Sequence, residues 1–290
     1  MQKTKFKAIN YLIASFVLPF LIPALIAGCG GGATLPGNGG NPTPTPTPGP
    51  TPTSTPVNPP AGQLSAYEGF NYSPDAVFES LQGGSGFSSQ WRGSSEDTEF
   101  RGFANIEPGS LNINWLKTTG NHVEVQGNGL PATFSRTLNS RLGVSGTTVW
   151  MSFVFNSSSR NTGGVMVGTL TADPNRIPPG ALLIGDPTAS DFLGLEHSKS
   201  LSSPGPTAAS TTSASTQALL VVRMRFANGV DTFDLFVNPP LNGVPPATPN
   251  ATLRFDLDTG GGDVTLMANG AYSFDEIRFG SSFAAVTPAP

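Results

Sequence analysis

An antiparallel β-sandwich or jelly roll is the fold this sequence predicts, and three observations carry the prediction. From Leu64 onward, short runs of alternating apolar and polar residues are cut by Gly, Pro, Asn and Ser, the period-two pattern of half-buried strands. Only 12% of the chain is charged, while it holds 35 Gly and 28 Pro, a composition unlike that of helical bundles or coiled coils. No stretch shows convincing helical periodicity, and no internal repeat is evident.

In chain order the candidate strands begin at residues 68–72, 111–115 and 122–126. Residues 148–155 (TVWMSFVF) form the next, with Trp150 read as core. Residues 164–170, 181–185 and 192–196 follow. Residues 198–216 (SKSLSSPGPTAASTTSAST) are expected to be a long, mobile polar loop. The clearest strand is 217–226, where Leu220, Val222, Met224 and Phe226 share a core face and Arg223 and Arg225 lie opposite. In 232–237, Phe233, Leu235 and Val237 face one way and Asp234 the other. A Pro-rich excursion at 238–249 precedes Leu253, Phe255 and Leu257, which alternate with Arg254, Asp256 and Asp258. Residues 273–279 supply Ile277 and Phe279 to the core. Eleven candidate strands at short spacing suit a sandwich.

The chain divides into three parts: 1–28, 29–62 and 63–290. Lys3, Lys5 and Lys7 precede an apolar run over 8–26 that Pro19 and Pro23 interrupt, which argues against a stable membrane-spanning helix. Ile26-Ala27-Gly28-Cys29 resembles the bacterial lipobox. That resemblance implies cleavage before Cys29 and its lipidation, which would anchor the protein to a membrane by buried acyl methylenes. An ordinary secretory signal is the alternative. The spacing, the single cysteine and the tether that follows favour the lipid. Gly30 resembles the residue that follows the cysteine in outer-membrane lipoproteins. Residues 29–62 carry 10 prolines and no charge. Their Pro-Thr repeats favour extended polyproline II, a disordered spacer that spans on the order of 60 Å over roughly 20 residues. The expected location is therefore the cell envelope, at the outer membrane or cell surface.

The formal net charge of −4 becomes −7 once Lys3, Lys5 and Lys7 are removed, leaving 12 Lys+Arg against 19 Asp+Glu. With no basic cluster beyond the leader, nucleic-acid binding is disfavoured. Lipidation of Cys29 leaves no thiol for catalysis, redox chemistry or metal binding. The remaining 228 residues must then fold by core burial alone.

Both ends of the 64–290 segment carry a family resemblance. It opens with Tyr67-Glu68-Gly69-Phe70-Asn71-Tyr72, then Gly83-Gly84-Ser85-Gly86-Phe87 and Trp91. It closes with Ser273-Phe274-Asp275-Glu276-Ile277-Arg278-Phe279-Gly280 and Val286-Thr287-Pro288. With Leu220-Val221-Val222-Arg223 and residues 231–239 between them, these resemble exported bacterial proteins with a concanavalin A-like (LamG-like) sandwich. Many of those end in a PEP-CTERM sorting tail. This chain stops at Pro290 without one, so an N-terminal lipid is the expected anchor. The resemblance implies a fold more than a job.

The chemistry is sparse. Glu-x-Asp-x-x-Glu, which the resemblance would place on one strand of a polysaccharide hydrolase, is absent, and Glu96, Asp97 and Glu99 lie in a Gly/Ser-rich loop. No Gly-x-Ser-x-Gly elbow accompanies His122 or His197. Glu196 and His197 are adjacent, as an acid/base pair or a strand-end surface feature. Two histidines do not make a zinc site. Asp256, Asp258 and Asp263 surround a Gly-rich turn and are candidate calcium ligands, or the outward faces of a hairpin. Trp91, Trp115 and Tyr72 are candidate sugar-stacking residues, with core packing as the alternative.

The reading is a lipid-anchored, non-catalytic β-sandwich that binds glycan or an envelope partner. The alternatives are a structural or adhesive envelope protein, or a polysaccharide-active hydrolase or lyase.

Overall fold

The computed structural model describes residues 62–288, apart from 75, 94–101, 114–115, 117, 160, 169–179, 189, 201–202, 258 and 260. Cys29, Trp115, Asp258 and the Glu96, Asp97 and Glu99 group lie outside the described residues. Among the described residues the strands are β1 (Leu64–Glu68), β2 (Arg92–Gly93), β3 (Phe103–Glu107), β4 (His122–Gln126), β5 (Ala132–Thr137), β6 (Thr148–Ser157), β7 (Gly163–Val167), β8 (Ala181–Asp186), β9 (Phe192–Ser200), β10 (Ser203–Ser213), β11 (Ala218–Arg225), β12 (Asp231–Val237), β13 (Ala251–Phe255), β14 (Asp263–Ala268) and β15 (Ala271–Gly280). One short helix, α1 (Phe283–Val286), ends the described chain.

The strands form two antiparallel sheets, as expected. One runs β13-β12-β11-β6-β15-β4-β3, with β1 also paired to β15; the other runs β10-β9-β8-β7-β14-β5-β2. Alternation fixes which side chains meet between them. Met151, Phe153 and Phe155 of β6, Leu220, Val222 and Met224 of β11, and Phe233 and Leu235 of β12 come from the first sheet. Val165 and Val167 of β7, Leu182 and Ile184 of β8, and Val264 and Leu266 of β14 come from the second. All are solvent-inaccessible.

Several boundaries differ from expectation. The first strand ends at Glu68 rather than starting there, because Phe70 has φ +48° and breaks extended pairing. Leu111 and Ile113 pair with no strand; they pack on the outer face of the first sheet. Residues 198–216 contain the end of β9 and all of β10, not a mobile loop. That strand lies at a sheet edge, where its Ser/Thr side chains need no apolar partner. Pro204 and the register shifts beside it are tolerated there as well. The strands β3, β5 and β14 had no clear sequence signal. The excursion over 238–249 is irregular, as expected.

A second apolar cluster sits outside the sandwich. Leu111, Ile113 and Leu116, with Phe283 and Val286 of α1, cover Trp150, Val154, Leu219, Val221 and Phe236. Ser282 caps α1, its Oγ accepting from Ala285 N–H at 3.2 Å. Trp150 is buried as expected, but in this outer cluster, against Phe236 and Phe283.

One buried ion pair joins the sheets: Arg136 of β5 donates to Glu68 of β1. Glu68 also accepts from Tyr72 Oη at 2.7 Å, Trp91 Nε1 at 3.3 Å and Phe70 N–H at 3.0 Å. Arg136 Nε donates to the Ser89 carbonyl at 2.8 Å, and its guanidinium lies 4.2 Å from the Phe87 ring centroid. Removing one partner of such a pair leaves an uncompensated buried charge. Glu68→Ala is expected to cost about 3–5 kcal/mol. Urea denaturation of the variant checks this, and a midpoint equal to wild type would contradict it.

Candidate functional site

The sequence nominated Trp91 and Tyr72 as exposed sugar platforms. The structure corrects Trp91: it is 0% exposed and packs in one aromatic cluster with Phe70 and Phe78, at 6.0 and 5.3 Å. Core packing, the alternative for this residue, is what the structure shows: the indole N–H finds Glu68 inside the protein. Tyr72 is half-buried, its hydroxyl committed to the same carboxylate. Burial, followed by the Glu68 charge, pushes the Tyr72 phenol well above its ordinary value.

Asp256 is exposed beyond β13, and Asp263 begins β14, where its Oδ1 accepts from Thr137 Oγ1 at 2.9 Å. Among the described residues no three His, Cys, Asp or Glu side chains group as metal ligands. Glu196 and His197 are also separated by the pleat. Glu196 is buried and accepts from Thr188 N–H at 2.7 Å. The His197 ring stacks on Phe255 at 3.9 Å on the inward side. Neighbours in a strand face opposite ways, so the two cannot act as one acid/base unit.

Among the described residues, neither sheet shows an open apolar groove at its centre. The outer face of the first is covered by Leu111, Ile113 and Leu116 and by α1. On the outer face of the second, Met166, Ala181, Leu183 and Met267 are buried. Beyond the covered area of the first sheet, Asp234 is held by Arg223, Arg225 and Thr252, so that face carries a satisfied polar network.

Among the described residues, a cleft lies where the β8–β9 connection meets the β10–β11 turn. It holds about 140 Å³ and is lined by Asp186, Ser190, Asp191, Phe192, Ser213, Ala214 and Ser215. The sequence builds it from two short connections. Pro187 and Ser190 close the first by a Ser190 N–H to Pro187 carbonyl bond of 3.2 Å, and Ser190 Oγ caps Phe192 N–H at 3.1 Å. Ala214 N–H donates to the Asp191 carbonyl at 3.0 Å, which pins the two connections together.

Asp186 is the chemically unusual member. It continues the inward series Leu182 and Ile184 along β8, so a carboxylate stands where a core residue would. It is 0% exposed. Tyr272 Oη donates to its Oδ2 at 3.1 Å, and its Oδ1 has no hydrogen-bond partner. Gly163 makes room for this contact: a Cβ there would come within 2.6 Å of the Tyr272 ring. Burial pushes the Asp186 carboxyl up to about 7 against the Tyr272 hydrogen bond, with the Asp191 charge adding to the rise. Phe192, at the mouth, is 45% exposed. No sequence motif marked this cleft. The available signal was an Asp ending an otherwise apolar strand (ALLIGD).

Asp275 shows the same effect elsewhere. It accepts from Ser110 Oγ, Leu111 N–H at 2.9 Å and Glu276 N–H at 2.8 Å. Burial nevertheless raises it to about 7, with the Glu276 charge in support and the three donors opposed.

No protein-family model matches this sequence, and no curated protein is significantly similar to it. Solved structures with related strand arrangements include a carbohydrate esterase from the Shiga toxin-encoding bacteriophage phi24B, at 11% identity and TM-score 0.42, covering 75% of this chain and 97% of that one. Lectin II from Ulex europaeus matches at 10% identity and TM-score 0.39, covering 76% and 100%. A legume lectin-like domain from Entamoeba histolytica matches at 10% identity and TM-score 0.35, covering 61% and 88%.

Asp186 and Asp275 make a stability prediction, to which Asp231, also raised by burial, adds in the same direction. An acid whose folded pKa lies above its unfolded value favours folding at low pH, and that advantage is lost as pH rises through the folded pKa. The melting temperature should therefore fall between about pH 4 and pH 8, the window from the ordinary carboxyl value to just above 7. Asp186→Asn should remove part of that slope, melting above wild type at pH 8 and near it at pH 4. A calorimetric series in which the variant keeps the full wild-type slope would contradict the assignment.

Proposed function

We propose that this protein is a lipid-anchored component of the cell envelope whose sandwich binds carbohydrate without catalysing a reaction on it. The observation that carries the reading is the Asp186 cleft. Sugars present hydroxyl donors and acceptors around a ring with an apolar C–H face. The cleft offers a buried acceptor without a donor, three serine hydroxyls, and one exposed aromatic ring at its mouth. Its serines support binding rather than covalent chemistry. Ser190 Oγ donates to the Phe192 carbonyl, and the Ser213 and Ser215 hydroxyls bond each other. A nucleophilic serine would need a base in contact with its hydroxyl, and neither bond supplies one.

The anchoring half of the proposal is supported by Ile26-Ala27-Gly28-Cys29 and the uncharged Pro/Thr spacer behind it. A calcium ion at the turn between Asp256 and Asp263 would serve rim stability rather than ligand contact. Added calcium should raise the melting temperature, and Asp263→Asn should remove the rise; no rise in wild type would sink this element.

A glycan array probed with the full chain, with and without calcium, tests the binding function. Phe192→Ala and Asp186→Asn are each expected to weaken the positive signals by about tenfold, the equivalent of 1.4 kcal/mol. Silence across the array in both conditions would overturn the carbohydrate reading. Cys29→Ala should move the protein from the membrane to the soluble fraction, and retention there would overturn the lipid anchor.

A further inference from the structure

The composition of the cleft narrows the ligand further, on the premise that it binds carbohydrate at all. Asp186 and Asp191 both line it, and among the described residues its walls contain no Lys, Arg or His. A neutral hydroxyl can bond Asp186 Oδ1, but where the carboxyl is ionised it leaves that charge unpaired in a buried site, and it does nothing for the Asp191 charge beside it. Such a charge is costly unless it meets a cation. A uronate, sulfate or sialate would add a third negative group to two carboxylates. Calcium is a weaker fit, since a hard cation takes six to eight oxygen ligands, and beside the two carboxylates the three serine hydroxyls are already engaged, Ser190 with Phe192 and Ser213 with Ser215.

We propose that the cleft recognises a single saccharide unit bearing a free ammonium group, which donates to Asp186 while Phe192 packs against the sugar's C–H face. The volume of about 140 Å³ is well below the size of clefts that enclose whole drug-sized ligands. One ring therefore enters, and the rest of a chain stays outside. The ammonium supplies a donor to Oδ1 and a counter-charge to both carboxylates. The hydroxyls of Ser190, Ser213 and Ser215 face the ring hydroxyls. Phe192 has exposed area for the apolar edge and for a cation–π contribution.

The arrangement has a proton signature. Without ligand, burial keeps the Asp186 carboxyl largely protonated at mildly acidic pH. Among the described residues the groups that face it are Tyr272 of β15 and Asp191 of the β8–β9 connection, and neither is a cation. A bound ammonium ion favours the carboxylate, so the carboxyl proton leaves to solvent as the complex forms. A neutral sugar releases none.

Isothermal titration of the full chain at pH 6.5, in two buffers of different ionisation enthalpy, reads both affinity and proton release. The ligands are the methyl glycosides of glucosamine, N-acetylglucosamine and glucose, together with glucuronate and the sugar-free 1,5-diaminopentane. The glucosaminide is expected to bind at least tenfold tighter than the other two glycosides, with net proton release, and glucuronate not at all. Asp186→Asn should abolish the tenfold preference and the proton release while leaving weak neutral-sugar binding. Because a buried variant can fail to fold, Asp191→Asn, at an exposed position, is the second arm and should reduce the preference severalfold. Equal affinity for the three methyl glycosides would overturn the ammonium assignment and leave the carbohydrate reading standing. Diaminopentane binding as tightly as the glucosaminide would show an amine site without sugar specificity and overturn the proposal. No binding by any sugar would overturn the carbohydrate reading itself.

Discussion

Glu68 is a carboxylate without solvent, and four donors converge on it from different parts of the chain. Its partner Arg136 comes from the opposite sheet, so the pair crosses the sandwich. A buried ion pair of this kind contributes little net stability over an apolar isostere. What it imposes is position: the two sheets must meet at the register that brings β1 against β5. The constraint reaches outward. Phe70 accepts a left-handed backbone, a conformation that costs on the order of 1–3 kcal/mol for a residue with a side chain, in return for its N–H reaching Glu68. Trp91 turns inward to place its N–H on the same oxygen as Tyr72.

A second irregularity organises the outer face of the first sheet. β15 pairs with β4 through Phe274 and with β1 from Ile277 onward. Between those partners lie Asp275 and Glu276, the latter at φ +55°. The break leaves their carboxylates free to take backbone donors from another segment: Leu111 N–H to Asp275 and Thr119 N–H to Glu276. That attachment holds Leu111, Ile113 and Leu116 over Trp150 and Phe236. The Asp186 cleft lies apart from that covered face, at a loop-lined end of the sandwich.

Much of the architecture was legible from alternation. Residues 217–226 and 232–237 showed their core faces plainly because every second position is large and apolar, and β11 and β12 pair as that pattern requires. β10 was illegible because an edge strand of Ser, Thr and Ala carries no apolar period. β5 was hidden because its inward face includes Arg136, whose charge is answered by a residue 68 positions away. The same cause defeated the site reading. Whether Trp91 stacks on a sugar or on Phe78 depends on long-range partners, and local composition does not encode them. Asp186 breaks an apolar strand without a motif around it; its meaning comes from Tyr272 and from the turn at Ser213, neither of them near in sequence.

The first described strand and the last lie side by side. Leu64 pairs with Gly280, and Ser281 N–H donates to the Gln63 carbonyl at 3.3 Å. A pull on the segment ahead of Leu64 therefore enters the domain at one sheet edge, beside the place where the described chain leaves it. The load meets the β1–β15 hydrogen bonds in sequence from Leu64 toward Glu68, as a zipper rather than a bolt. The far end of that zipper is the carboxylate bonded to Arg136 of the other sheet. Mechanical failure would thus run easily through the outer part of one strand and halt where the sheets are cross-linked, which makes β1 a shock absorber in front of an intact core.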